Sequence, residues 1–570
     1  MKLYSKGIRI GRRKQAGGVL VPTLILTAVL GITTLSMVEL SSFRVRTEYA
    51  RWASNQAYYH AENALNWALQ MVADAPSTYG GTPSFVGNYS VSAGNLSMSY
   101  LTTLYGSAGT DFKNAWVTVA AHTNGVTDLY LVTASAKVRD RVRTLQSTVR
   151  KNPPSTVFDY EYFLNNWGWW WGSTITGYGD NRANWDFDFR YTPTVNGSIF
   201  ASGGIESNMV AVNPLGGSLP FAGLAATDPA SYVHAGTPRV QMPNLKDFTY
   251  YQAKATTNAG KLYLGTNLVV SAVHTNASKP GLYLKGTASA PVKISGPVVI
   301  PGDVIISGPI TGVGTLYVGG NLYVAGDMTY VNGPDFSGTP ASMTQANRDA
   351  WVQNSLTAGK DLIAFAVREA ILGGNVNDSG WKTSCYDAAS YGLKNVGAEG
   401  SLGKDGIAGT PDDGVAFRDT NGDGTPDSAW YDADGDGVVD VAYNYSNDVQ
   451  LNTTRAGKIY NYPTATNGTL VAYESVSTNN FNRVDGILYC NHAMAMKLDK
   501  SGAVMNGAVI CRDEAIIFTG SLKFVYDPRV HSRYSTDPNR YIDLGLPVAA
   551  KIRQERVDEI KPVDGFYVAN

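Results

Sequence analysis

From Val19 to Val38 the chain carries no charge. As a helix rising 1.5 Å per residue, this run spans the ~30 Å hydrocarbon core of a bilayer. Lys2, Lys6, Arg9, Arg12, Arg13 and Lys14 precede it with no acid among them. Such a flank keeps the N-terminus on the cytoplasmic side. From Glu39 to Ala73 the chain has no Pro and no Gly, and Tyr58, Ala61, Leu65 and Ala68 recur at steps of three and four. The pattern predicts one helix over 19–74, roughly 80 Å long, with its transmembrane part at 19–38 and its end before Pro76. Alternation of apolar and polar residues in 115–122, 128–138 and 141–150 predicts a small antiparallel sheet within 75–152, with Asp140 at a turn.

The middle of the chain has a different period. Leu262-Tyr263-Leu264-Gly265 is echoed by Leu316-Tyr317-Val318-Gly319 and again by Leu322-Tyr323-Val324-Ala325. Ser295-Gly296-Pro297 returns as Ser307-Gly308-Pro309. Val195-Asn196-Gly197 resembles Val484-Asp485-Gly486 and Met505-Asn506-Gly507, and Gly486 and Gly507 are spaced as one coil would space them. Short apolar strands punctuated by Gly at a fixed step are the pattern of a parallel β-solenoid, whose coils share one core. We expect coils over 155–335 and again over 481–530, an insertion at 336–480, and a C-terminal tail at 531–570. Trp167, Trp169, Trp170, Trp171 and Trp185 precede these coils. Such a cluster can stack on sugars, but capping a solenoid's open end is the commoner use.

The insertion holds the sharpest chemical motif. DTNGDGTPD begins at Asp419 and DADGDGVVD at Asp432. Side-chain oxygens fall at positions 1, 3, 5 and 9: Asp419, Asn421, Asp423 and Asp427, then Asp432, Asp434, Asp436 and Asp440. Ca2+ takes six to eight oxygens, and alternate residues of a tight loop point inward. The carbonyls of Thr425 and Val438 would add a ligand to each loop, and Gly424 and Gly437 permit the sharp turn. Position 12 is Trp430 or Tyr443, so the bidentate Glu of an EF-hand is missing. The repeats resemble thrombospondin type 3 and dockerin modules. The cofactor expected is Ca2+, in a structural role. Cys490 and Cys511 would lie one coil apart, within disulfide reach; a pairing and two buried thiols are both compatible with that spacing.

Charge changes the picture less. Lys and Arg total 46 against 47 Asp and Glu, so no basic face offers itself to nucleic acid as a main partner. No HExxH, GxSxG or P-loop sequence is present. We therefore expect a non-enzymatic protein. A calcium-dependent β-helix enzyme acting on polysaccharide is an alternative, as is a membrane-anchored surface adhesin.

The basic leader at 1–18, Gly18 before the apolar run and the helix running on past the membrane together resemble the class III signal of type IV pilins and type II secretion pseudopilins. Tyr58-Tyr59-His60-Ala61-Glu62-Asn63-Ala64-Leu65 is similar to the corresponding segment of PilX-type minor pilins. The resemblance covers the leader and the long helix and stops there. It implies cleavage by prepilin peptidase between Gly18 and Val19 and methylation of Val19. It departs from the family at Val19, where Phe is usual, and at Thr23, where the family has a Glu that pairs with a neighbour's amine. Tip-type pseudopilins also lack that Glu, so a minor or tip subunit is implied rather than a major one. The partners implied are other pilins or pseudopilins and the inner-membrane assembly machinery. The location implied is a single pass in the inner membrane, with the C-terminal region periplasmic, extracellular or in a pilus. The fold class expected is α+β: a long N-terminal transmembrane helix, a small pilin-like sheet, then a solenoid with a calcium-loop insertion.

Overall fold

The computed structural model describes residues 20–75, 83–91, 115–122 and 128–375, apart from 166, 209, 214–215, 217, 244, 246–247 and 278–280. It also describes 378, 381, 416–418, 428–431, 441–443, 461–463, 470–478 and 481–560, apart from 492, 513, 535–541 and 549–551. Two compact units share the chain: Met1–Ala75, Ser84–Arg150 and Gln554–Asn570 form the first, and Pro76–Pro83 and Lys151–Arg553 the second.

Helix α1 of the first unit runs unbroken from Leu20 to Asp74. Pro22 lies in its first turn, where a missing N–H costs nothing. Thr27 and Thr34 donate their hydroxyls to the carbonyls of Thr23 and Leu30, one turn back, each at 2.6 Å. From residue 53 onward one face is buried: Ala53, Ala57, Ala61, Ala64, Leu65, Ala68 and Val72. Alanines along that stripe let a sheet approach closely. Tyr58, expected on the stripe, is half-buried at its edge.

That sheet is antiparallel through Gly87–Val91, Ala115–Ala121, Leu129–Val138 and Arg141–Lys151. Its fifth strand, beside the fourth, is Ile552–Ile560. Those residues fall in the stretch read from sequence as a tail. Arg143 joins three elements, with Nε donating to Ser54 of α1 at 2.9 Å and Nη1 2.6 Å from Glu559. The second unit is thus inserted between two neighbouring strands of one sheet.

In the second unit the strands pair mainly in parallel, and each step advances the sequence by roughly 20 residues. Val292 pairs with Ile310 and Thr176 with Thr194, Val484 with Met505, and Leu282 with Val304. Buried side chains form rows across the strands. One row reads Val298, Leu316, Phe365, Leu488 and Val509. It then passes to Tyr162, and on through Asn181 and Ile199 to Val233. A second row passes from Met505 through Phe524 to Gly177. The order along the stack is therefore not the order of the sequence. The last strand of the series, Leu522–Tyr526, meets the early strand Ile175–Tyr178 in mid-stack, at a seam.

The described residues between 238 and 257 carry the chain back along the stack. Val240 accepts from and donates to Asn184. The Pro243 carbonyl accepts from Arg512 at 2.7 Å, and Tyr251 in the helix Phe248–Thr257 packs on Tyr317. Three readings from sequence change here. Lys261–Leu264, the first copy of the repeat, is antiparallel to both its neighbours and ends the ladder instead of extending it. Leu362–Val367 and Ile371–Gly373, assigned to the insertion, belong to the ladder. The tryptophans lie at the seam and not at an open end.

Gly486 and Gly507 stack in register where long strands turn, both at positive φ (134° and 145°). A Cβ on Gly507 would stand 1.9 Å from the Gly486 carbonyl oxygen. Gly507→Ala is expected to cost about 3 kcal/mol. Gly359→Ala, at φ 58° with open space around it, is expected to cost roughly 1 kcal/mol. Denaturant unfolding of the two variants measures the difference.

Candidate functional site

The first candidate is the outer surface of α1. Leu24 and Phe43 are 64% and 67% exposed, and every apolar side chain between them is similarly open. This half of the helix is long and apolar enough to cross a membrane. Its first turn carries no acid. Gly18 and Val19 lie outside the described residues.

The second candidate is the pair of acidic nonapeptides. Asp419, Asn421, Asp423, Thr425 and Asp427 lie outside the described residues, as do Asp432, Asp434, Asp436, Val438 and Asp440. Their frame is described. Ala416–Arg418, Ser428–Tyr431 and Val441–Tyr443 form an antiparallel sheet in which Arg418 pairs with Ser428 and Tyr431 with Val441. Each nonapeptide therefore spans one pair of cross-strand neighbours, whose Cα atoms are about 5 Å apart. The first nonapeptide precedes the central strand Ser428–Tyr431 and the second follows it; the ends of that strand are about 10 Å apart at ~3.3 Å per residue. Among the described residues, no group of three or more His, Cys, Asp or Glu is placed to hold a metal.

The third is the seam, whose polar residues sequence reasoning missed. Glu161 is wholly buried, its Oε1 accepting from the Tyr178 N–H at 3.1 Å. Burial pushes its carboxyl well above the usual range, more than that hydrogen bond pulls it down. Gly177 and Gly179 leave room for it; a Cβ on Gly179 would lie 2.7 Å from Glu161 Cβ. Asp159 accepts from the Ser532 N–H and Oγ at 2.6 and 2.7 Å, with His531 Nδ1 at 3.4 Å. Serine and histidine both address the carboxylate, and this cluster ties the two ends of the unit together. At the Gly486 corner, Asp485 accepts from Asn506 Nδ2 at 2.7 Å and from the Tyr330 N–H at 2.8 Å. The V-D-G and M-N-G echo in the sequence was the trace of that stacking.

Cys490 and Cys511 are in-register neighbours on adjacent strands, both buried, as their spacing predicts. Of the tryptophans, Trp167 stacks on Trp169 at 6.1 Å, and Trp169 meets Trp171 edge-on at 4.2 Å. The Arg190 guanidinium covers Trp171 at 3.5 Å and pairs with buried Asp188. These ring faces are already committed, which argues against a sugar platform.

No protein-family model and no curated protein matches the chain. Among solved structures, one similar to it is the competence-associated pilin ComZ from Thermus thermophilus. The identity is 12%, with 89% of this chain and 97% of that chain covered, at a TM-score of 0.27. A superposition that loose fixes neither fold nor function.

Glu161 provides a pH test. A carboxyl raised above its unfolded pKa of ~4.3 stabilises fully below that value, and the contribution is lost as pH rises toward the folded pKa. Glu161→Gln is therefore expected to melt higher than the parent at about pH 7.5. The two should converge near pH 4, as thermal melts across that range would show.

Proposed function

We propose that the chain is a pilin-like subunit of the minor or tip type, in a type IV pilus or a type II secretion pseudopilus. The observation that carries this reading is the division of α1. One unbroken helix exposes apolar side chains over its first half and packs on an antiparallel sheet over its second. A plain membrane anchor needs no such continuation. An exposed apolar half-helix fits either the inner membrane or the core of a filament of like helices. Thr23 suits a subunit that does not need the usual amine-pairing Glu. On this reading prepilin peptidase cuts after Gly18, Val19 is methylated, and the second unit lies outside the cytoplasm. Removal of the leader takes six basic residues and leaves a mature charge of 40 - 47 = -7.

The second unit, on this reading, is a rigid parallel β-solenoid presented for assembly or adhesion, not for catalysis. Its support is the in-register parallel pairing at coil-length steps. Ca2+ would be held by the side chains of Asp419, Asn421, Asp423 and Asp427 with the Thr425 carbonyl, and by those of Asp432, Asp434, Asp436 and Asp440 with the Val438 carbonyl. The described frame fits this role. Strand pairing joins the residues that flank each nonapeptide, and the seven carboxylates would repel one another without a cation. Bound Ca2+ supplies the charge those carboxylates need to sit together.

Intact-mass analysis of the protein from membranes is expected to show a start at methylated Val19; a chain beginning at Met1 would contradict the pilin reading. Titration of the full chain in detergent is expected to show Ca2+ binding at or below about 1 mM, weakened roughly tenfold by Asp423→Asn or Asp436→Asn. Absence of binding at about 10 mM would reject the calcium sites.

A further inference from the structure

At the seam two rows of pairing continue from the C-terminal strands onto the N-terminal ones, but a third does not. That third ladder runs from Leu322 through Ile371 and Met494 to Ala515. Beyond the strand Glu514–Phe518 lies Gly168–Trp171, which belongs to a separate sheet with Phe187–Arg190 and Ile205–Ser207. Among the described residues, no pairing joins Glu514–Phe518 to Gly168–Trp171. A cavity of about 340 Å3 opens between them and reaches the interior of the stack. Of its lining residues Tyr162, Phe524 and Trp170 are buried, whereas Tyr191 and Phe518 are exposed.

Three observations point to a ligand. Among the described residues no charged side chain lines the cavity, and most of its described walls are indole, phenyl or phenol rings. Aromatic walls favour aromatic guests, through edge-to-face and offset contacts. An apolar cavity of ~150 Å3 accepts a benzene ring, so this one has room for two rings and falls within the size range of ligand pockets. The rim is also held under strain. Tyr191 and Thr192 are consecutive non-glycine residues at positive φ (61° and 58°), and Tyr191 is 74% exposed. A large apolar ring gains nothing from standing in water on a strained backbone, and such strain collects at ligand clamps.

We propose that the seam cavity binds an uncharged aromatic molecule of about two rings, with Tyr191 closing over it. The committed faces of Trp169 and Trp171 disfavour a saccharide there. The proposal stands apart from the pilin reading, since it needs nothing from α1.

Photolabelling of the full chain in detergent with benzophenone, an uncharged two-ring ketone, tests it. Peptide mapping is expected to place label within 162–191 and 515–524, saturating with a half-point below about 1 mM. Label on the exposed helix should be common to every variant. Ala515→Leu, which fills the cavity, and Tyr191→Asn, which keeps a residue at ease with positive φ, should each weaken cavity labelling about tenfold. Tyr191→Asn should melt no lower than the parent, because the backbone strain is relieved. Labelling confined to the helix, or cavity labelling unchanged in Ala515→Leu, would overturn the proposal.

Discussion

Pairing between the two ends of the second unit is the contact on which the rest of that unit depends. Strands Tyr162–Leu164 and Ile175–Tyr178 come from its beginning, and Ala503–Cys511 and Leu522–Tyr526 from its end. Joining Phe524 to Gly177 closes a loop that contains nearly all of the unit's chain. Closing a loop of that length costs about 5 kcal/mol of chain entropy, plus a constant. Tyr162, Leu164, Leu522 and Phe524 are buried at the join. At about 1.5–3 kcal/mol each, they set roughly 6–12 kcal/mol against that cost. The seam also answers a constraint set by the first unit. The chain leaves that unit's sheet on the strand ending at Lys151 and returns on the strand beginning at Ile552, and these strands are neighbours. A stack laid down in sequence order would put its first and last coils at opposite ends. Within the second unit, the bridge between Pro154 and Val548 pairs the beginning of its chain with the end.

The costs of that solution gather at the same place. Glu161 is buried without a cationic partner among the described residues, Asp159 is shared by Ser532 and His531, and one ladder fails to close. Strands from one continuous segment would set their own register. Strands from two distant segments must fit three ladders at once, and the third is left open beside the tryptophans. The outer surface of that ladder carries a row that includes Tyr323, Leu372, Ala495, Ile516 and Trp169. The tryptophans extend an apolar row across a join that lacks backbone pairing.

Much of this was legible in the sequence. The helix was, because an uncharged run followed by a long stretch without Pro or Gly allows little else. The antiparallel strands were, because their alternation is clean and Arg139-Asp140 marks a turn; Arg139 takes positive φ there and stacks over Tyr49. The repeating parallel pairing showed through Gly486 and Gly507, since a position that needs positive φ in successive coils forces the residue type. The stacking order was not legible. Leu316-Tyr317-Val318 and Leu522-Lys523-Phe524 announce strands, but a short apolar strand does not name its neighbour. The copy at Leu262 looked like another coil because antiparallel end strands bury side chains with the same period of two. The fifth strand, Ile552–Ile560, carries Arg553, Glu555, Arg556, Asp558 and Glu559, and that charge hid it.

The order of strands at the seam is tested most directly by cross-linking. Thr176 and Lys523 are in-register neighbours across it, and Lys523 is exposed. Thr176 also pairs with Thr194 on its other side, within the N-terminal coils. In the full chain, Thr176→Cys with Lys523→Cys should form a disulfide under mild oxidation as readily as Thr176→Cys with Thr194→Cys. If the second pair cross-links and the first does not, the ends of the unit do not meet and the account of its architecture fails.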